Sequence, residues 1–118
     1  MHVQDYCINR LAHEPVKHFA ILCLDNQNRL IGEETMSIGT INQTAVDPLE
    51  VMNAALEHHA RSVTLVHNHP SGEAKPSRAD IAVMRHIEKA QTVMGMTLHD
   101  HLIIADTICV SFKGRGHL

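Results

Sequence analysis

The stretch from Ser62 to Asp80 constrains the fold more than any other part of this 118-residue chain. Ser62–His67 is a run of β-branched and apolar residues and reads as a strand. Asn68–Pro76 is rich in Pro, Ser and Gly and reads as a loop. Ser77–Met94 reads as a long helix with Ile81, Met84, Ile87 and Met94 on its buried stripe, and Gly95 ends it. His67 and His69 lie two residues apart, so the strand period sends both imidazoles to one face. Asp80 falls in the first turn of the helix, near where that helix begins. A strand–loop–helix of this kind can bring two neutral nitrogens and one carboxylate oxygen together. That is a three-ligand set suited to Zn²⁺, with a fourth position open for water. Water on such an ion has a pKa near about 7.

The remaining elements follow from periodicity and turn chemistry. Val3, Tyr6, Cys7 and Leu11 share helical spacing, which predicts a short N-terminal helix that Glu14-Pro15 ends. Lys17–Leu24 reads as a buried strand, Asp25–Asn28 as a turn, and Arg29–Ile38 as the returning strand of a hairpin broken at Gly39-Thr40. Asp47-Pro48-Leu49-Glu50 starts a second helix, with Leu49, Met52, Leu56 and Ala60 on one face. Thr97–Ala105 and Ile108–Phe112 are strands around Asp106-Thr107, and the tail from Lys113 is expected to be loose. The predicted class is α/β (α+β). One mixed, largely antiparallel sheet is flanked by helices in a single domain over residues 1–118.

Composition excludes several functions. The longest apolar run, Phe19–Leu24, has six residues, whereas a membrane helix needs about 20. The N-terminus has no signal-peptide pattern. A net charge of −3 and only three aromatic residues (Tyr6, Phe19, Phe112) argue against a nucleic-acid partner. Cys7, Cys23 and Cys109 contain no C-x-x-C pair and suggest reduced thiols, hence a cytoplasmic location.

Hydrolysis at a metal also needs a proton acceptor and donor. The hairpin offers Glu33 and Glu34. Leu30, Gly32, Glu34, Met36 and Ile38 share the more apolar face, which is expected to point inward. A carboxylate there is costly without a partner, so Glu34 is the better base. Ser77 can cap the helix with its oxygen and still donate its O–H to a developing oxyanion.

Glu34, His67-x-His69, Ser77 and Asp80 match the JAMM motif of MPN-type (JAB1/MPN) metalloproteases at every motif position. His67–Gly72 with Pro76-Ser77, Asp25–Ile31, Gly39-Thr40 and Asp100–Ile103 resemble the RadC branch, from about Phe19 to the end of the chain. The resemblance implies the cytidine-deaminase-like MPN architecture. It implies zinc on His67, His69 and Asp80, Glu34 as acid/base, Ser77 as oxyanion support, and cleavage of a peptide or isopeptide bond by metal-activated water. It names no substrate beyond an unknown protein or peptide. Many related domains dimerise, so a homodimer is possible. Long RadC proteins carry a helix-hairpin-helix region that these 118 residues lack. Met36-Ser37 replaces the usual Leu-Phe. Two alternatives accompany the hydrolase: a DNA-repair accessory, which the family name suggests, and a zinc-bearing scaffold without turnover.

The other histidines receive plainer readings. His99-Asp100-His101 is expected to be a hydrogen-bonded or exposed strand pair, with a place behind the zinc for Asp100 or His101 as the alternative. His58-His59 is expected on a helix surface. His2, His13, His18, His86 and His117 are given no role. The Asn42–Asp47 and Ser71–Lys75 loops are short and polar and spell no specificity.

Overall fold

The computed structural model describes residues 3–39 and 46–117. Thr40 and most of the Asn42–Asp47 loop lie outside the described residues. The elements run α1 (Val3–Leu11), β1 (His18–Leu24), β2 (Leu30–Ile38), α2 (Pro48–Glu57), β3 (Ser62–Asn68), α3 (Arg78–Val93), β4 (Thr97–Ala105) and β5 (Ile108–Ser111). The strands form one sheet in the order β2-β1-β3-β4-β5. Its β2/β1, β1/β3 and β4/β5 pairs are antiparallel, and β3/β4 is parallel. Parallel neighbours need a crossover, and α3 supplies it. The expected mixed, largely antiparallel sheet between helices is the fold, consistent with JAB/MPN architecture.

The sheet has a core on each face. Phe19, Ile21, Cys23, Val63 and Leu65 pack under Val51, Met52, Ala54 and Ala55 of α2 and Val83 and Ile87 of α3. Ala20, Leu22, Val66, Leu102 and Ile104 pack under Cys7 of α1, with Val3, Tyr6 and Leu11 partly buried beside it. β1 and β3 are therefore covered on both sides, which is why β1 is apolar at consecutive positions rather than alternating and why β3 buries Ser62 and Thr64 along with its apolar residues.

Several expected faces shift. α2 buries Val51, Met52, Ala54 and Ala55, while Leu49 and Leu56 are exposed. α3 buries Asp80, Val83, Met84, Ile87 and Gln91, while Met94 is exposed. Both helices are turned from the expected stripe but keep Met52 of α2 and Met84 and Ile87 of α3 on the buried side. β2 is an edge strand, and Leu30 and Ile38 at its ends are exposed. Only the middle of the face expected to point inward is covered. The tail also differs. It turns back through Lys113–Gly116, and the His117 carbonyl accepts from Arg85 at 2.7 Å while the His117 ring lies against Phe112.

Candidate metal centre

β3 ends at Asn68, and the local chain is pinned there from both sides. The Asn68 side chain accepts from the His18 amide at 2.6 Å and donates to the carbonyls of Glu14 and Val16. The His69 amide donates to the Ile104 carbonyl at 2.8 Å. His67 and His69 are thereby held rigidly where the sheet meets the start of α3.

On the other side, Ser77 and Asp80 form a capping box. Ser77 Oγ accepts from the Asp80 amide at 3.0 Å, and the Ser77 amide donates to Asp80 Oδ2 at 2.8 Å. This is the sequence-level cap of α3, and it aims the Asp80 carboxylate back at the strand.

The three side chains meet. His67 Nε2 lies 3.0 Å from His69 Nε2 and 3.1 Å from Asp80 Oδ1, and His69 Nε2 lies 3.0 Å from Asp80 Oδ2. All three residues are buried. Ligands at about 2.0–2.1 Å on a tetrahedral zinc stand about 3.3 Å apart, so the donor set needs to open only slightly to receive the ion. The donor chemistry fits as well. Binding through Nε2 requires the proton on Nδ1, and His69 Nδ1 already faces the Glu73 carbonyl at 2.6 Å. His67 Nδ1 faces His101 Nε2 at 2.8 Å.

The electrostatics reflect burial and pairing. Burial pushes the Asp80 carboxyl up, but hydrogen bonds to His67, His69 and the Ser77 amide outweigh it and hold it well below the usual carboxylate range. Burial pushes His67 down against the pull of Asp80. The hydrogen bond to Asp80 pushes His69 up. Lys17 pushes both imidazoles down. It lines the mouth above them, a cavity of about 390 Å³ shared with His69, Pro70, Ser71, Glu73, Lys75 and Ser77.

Glu34 does not join this cluster. It stands on the same sheet face but opposite Ile21, which is itself opposite Leu65, two residues before His67. Its carboxylate faces His58 Nε2 at 2.9 Å, and its charge is felt by the Cys23 thiol. A half-buried carboxylate does find the partner that burial demands, but the partner is His58. His58, expected on the surface, caps the end of α2 with its ring over Gly32. Glu33, on the opposite face, accepts from Tyr6 and pairs with Arg10.

Of the two plain readings of the His99–His101 stretch, His101 takes the hydrogen-bonded one, and it stands directly beside His67. It is fully buried against Phe112 and Phe19 rather than exposed. Val63 pairs with Leu98 and Thr64 with Asp100, so an irregularity at His99 shifts the register and turns His101 inward. Asp100 does not approach the cluster. It accepts from Ser111 Oγ at 2.5 Å and from the Lys113 amide at 3.1 Å, which ties β4 to β5 and the tail.

A family model for the RadC-like JAB domain matches residues 1–117. The chain belongs to the RadC-like JAB domain family. Among curated relatives, the RadC-like domain is 45% identical over 114 residues to a UPF0758 protein of Rhodobacter capsulatus, covering 97% of this chain and 53% of that one. It is 43% identical over 114 residues to a UPF0758 protein of Ruegeria pomeroyi, covering 97% and 51%. It is 45% identical over 116 residues to one of Cellvibrio japonicus, covering 98% and 52%. The RadC-like domain thus spans about half the length of the curated relatives it matches. No helix among the described residues is long and apolar enough to cross a membrane.

Proposed function

We propose that the domain is a Zn²⁺-dependent hydrolase of the JAMM type, acting on a peptide or isopeptide bond of a protein or peptide substrate. The observation that carries this reading is the buried convergence of His67, His69 and Asp80 on one point. Zinc held by these three supplies a Lewis acid that polarises a carbonyl and acidifies water. Ser77 sits at the mouth, exposed, with its oxygen already accepting from the Asp80 amide, so its O–H is left to donate to a developing oxyanion. Glu34 is the carboxylate assigned to move the proton from water to the leaving amine, and in that role it must first leave His58.

A second reading is a zinc-bearing binding domain without turnover. One observation favours it: the Glu34 carboxylate, the assigned base, is engaged with His58. The two readings separate in one assay. Zinc-loaded wild type and Glu34→Gln are incubated with a library of peptide and isopeptide bonds. The hydrolase reading expects cleavage by wild type and a loss of about 100-fold or more in Glu34→Gln with zinc retained. A fully loaded wild type that cuts nothing in the library favours the second reading. Equal cleavage by the variant removes Glu34 from the mechanism.

A further inference from the structure

We infer that His101 is the positioning residue of the metal centre: its Nε2 accepts the Nδ1 proton of His67 and so presents the His67 Nε2 lone pair to the ion. The inference rests on the reading of His67, His69 and Asp80 as metal ligands.

A neutral imidazole carries one proton on its two nitrogens, so a histidine that binds a metal through Nε2 must place that proton on Nδ1. In a buried site the Nδ1 proton needs an acceptor. His69 has one in the Glu73 carbonyl, at 2.6 Å. His67 is 1% exposed, and its Nδ1 lies 2.8 Å from His101 Nε2. An imidazole can accept there only when its own proton sits on the far nitrogen. That far nitrogen, His101 Nδ1, is buried with no hydrogen-bond partner among the described residues, so this tautomer leaves one buried N–H unpaired as the cost of giving His67 its acceptor.

The surroundings of His101 sharpen the point. Its ring stacks on Phe112 with centroids 4.2 Å apart at 19° and meets Phe19 edge-on at 6.4 Å. A phenylalanine would suit that slot and would leave no polar atom unpaired. The polar ring is explained by what Nε2 does. The register shift at His99 is the backbone device that delivers it, because without the shift His101 would face the other side of the sheet.

The test compares zinc affinity in wild type, His101→Phe and His101→Gln by competition with a chromophoric chelator. The histidine tautomers of zinc-loaded wild type are read alongside by ¹⁵N NMR. Phe keeps the ring and removes the acceptor; the Gln carbonyl restores an acceptor at about the same reach. Expected are affinity about 10- to 100-fold weaker in His101→Phe and recovery to within about threefold of wild type in His101→Gln. The zinc-loaded wild type should show His67 protonated at Nδ1 and His101 unprotonated at Nε2. Unchanged affinity in His101→Phe, or a proton on His101 Nε2 in the zinc-loaded protein, overturns the inference while leaving the ligand set intact. Should His101→Phe not fold, the wild-type tautomers decide the question alone. A wild type that binds no zinc overturns the ligand reading itself, and the inference falls with it.

Discussion

Gly32 and His58 together set where the Glu34 carboxylate rests. A Cβ built on Gly32 would lie 2.4 Å from His58 Nδ1, so the imidazole can lie over β2 only because residue 32 has no side chain. His58 Nε2 then reaches Glu34 at 2.9 Å, toward the Gly32 end of the strand and away from His67. Gly32→Ala should push the His58 ring out toward solvent and release Glu34. Both side chains of the pair are partly exposed, so the cost should be no more than about 1 kcal/mol. The check is a crystal structure of Gly32→Ala: the His58 ring should lie beyond hydrogen-bonding reach of Glu34, and a pair retained at the wild-type 2.9 Å would show that the ring was not displaced. If Glu34 is the hydrolytic base, Gly32→Ala should also raise turnover.

At the scale of elements, α3 joins stability to the site. The capping box that starts the helix uses the carboxylate that faces His67 and His69, so the fold and the centre share one side chain. Ser77→Ala removes the cap acceptor but no proposed ligand. It should cost about 1 kcal/mol, lowering the melting temperature by about 4 °C, while zinc binding persists. Calorimetry with and without zinc checks this; loss of the metal in Ser77→Ala would mean that the cap is what holds Asp80 in place. The strand–loop–helix from Ser62 to Asp80 was legible in the sequence because each of its signals is local: an H-x-H at strand period, a Pro/Gly loop and a Ser-x-x-Asp cap. The environments of Glu34 and His101 were not legible in the same way. One depends on the C-terminal end of α2 landing over β2, and the other on a register shift in β4. Neither contact is between residues near in sequence, and a shift of one residue reverses which face a side chain occupies.

At the scale of the whole molecule, the layers close over the thiols: Cys7 and Cys23 are buried and Cys109 is half-buried. Burial pushes the Cys7 thiol up to about 12 and the Cys23 and Cys109 thiols up to about 11. The folded chain therefore keeps protons that the unfolded chain releases above about pH 8.5. Stability from this source is complete below that value and declines as pH rises toward the folded-state values. Melting temperature should fall between pH 8 and 10, and a Cys7→Ala/Cys23→Ala double variant should fall less steeply. Equal slopes would assign the alkaline loss to other groups. The same layering explains how much of the architecture could be read in advance. β1 announces itself as buried by its continuous apolar run, whereas the double cover of β3 and the exposed ends of edge strand β2 follow from their places in the sheet order, which their own residues do not encode. The central claim is that His67, His69 and Asp80 hold one zinc ion. An anomalous difference map collected at the zinc edge, from crystals of wild type and of Asp80→Ala grown with zinc, tests it most directly. The account predicts a single peak among these three side chains in wild type and none there in Asp80→Ala; a wild-type map with no peak among them would contradict it.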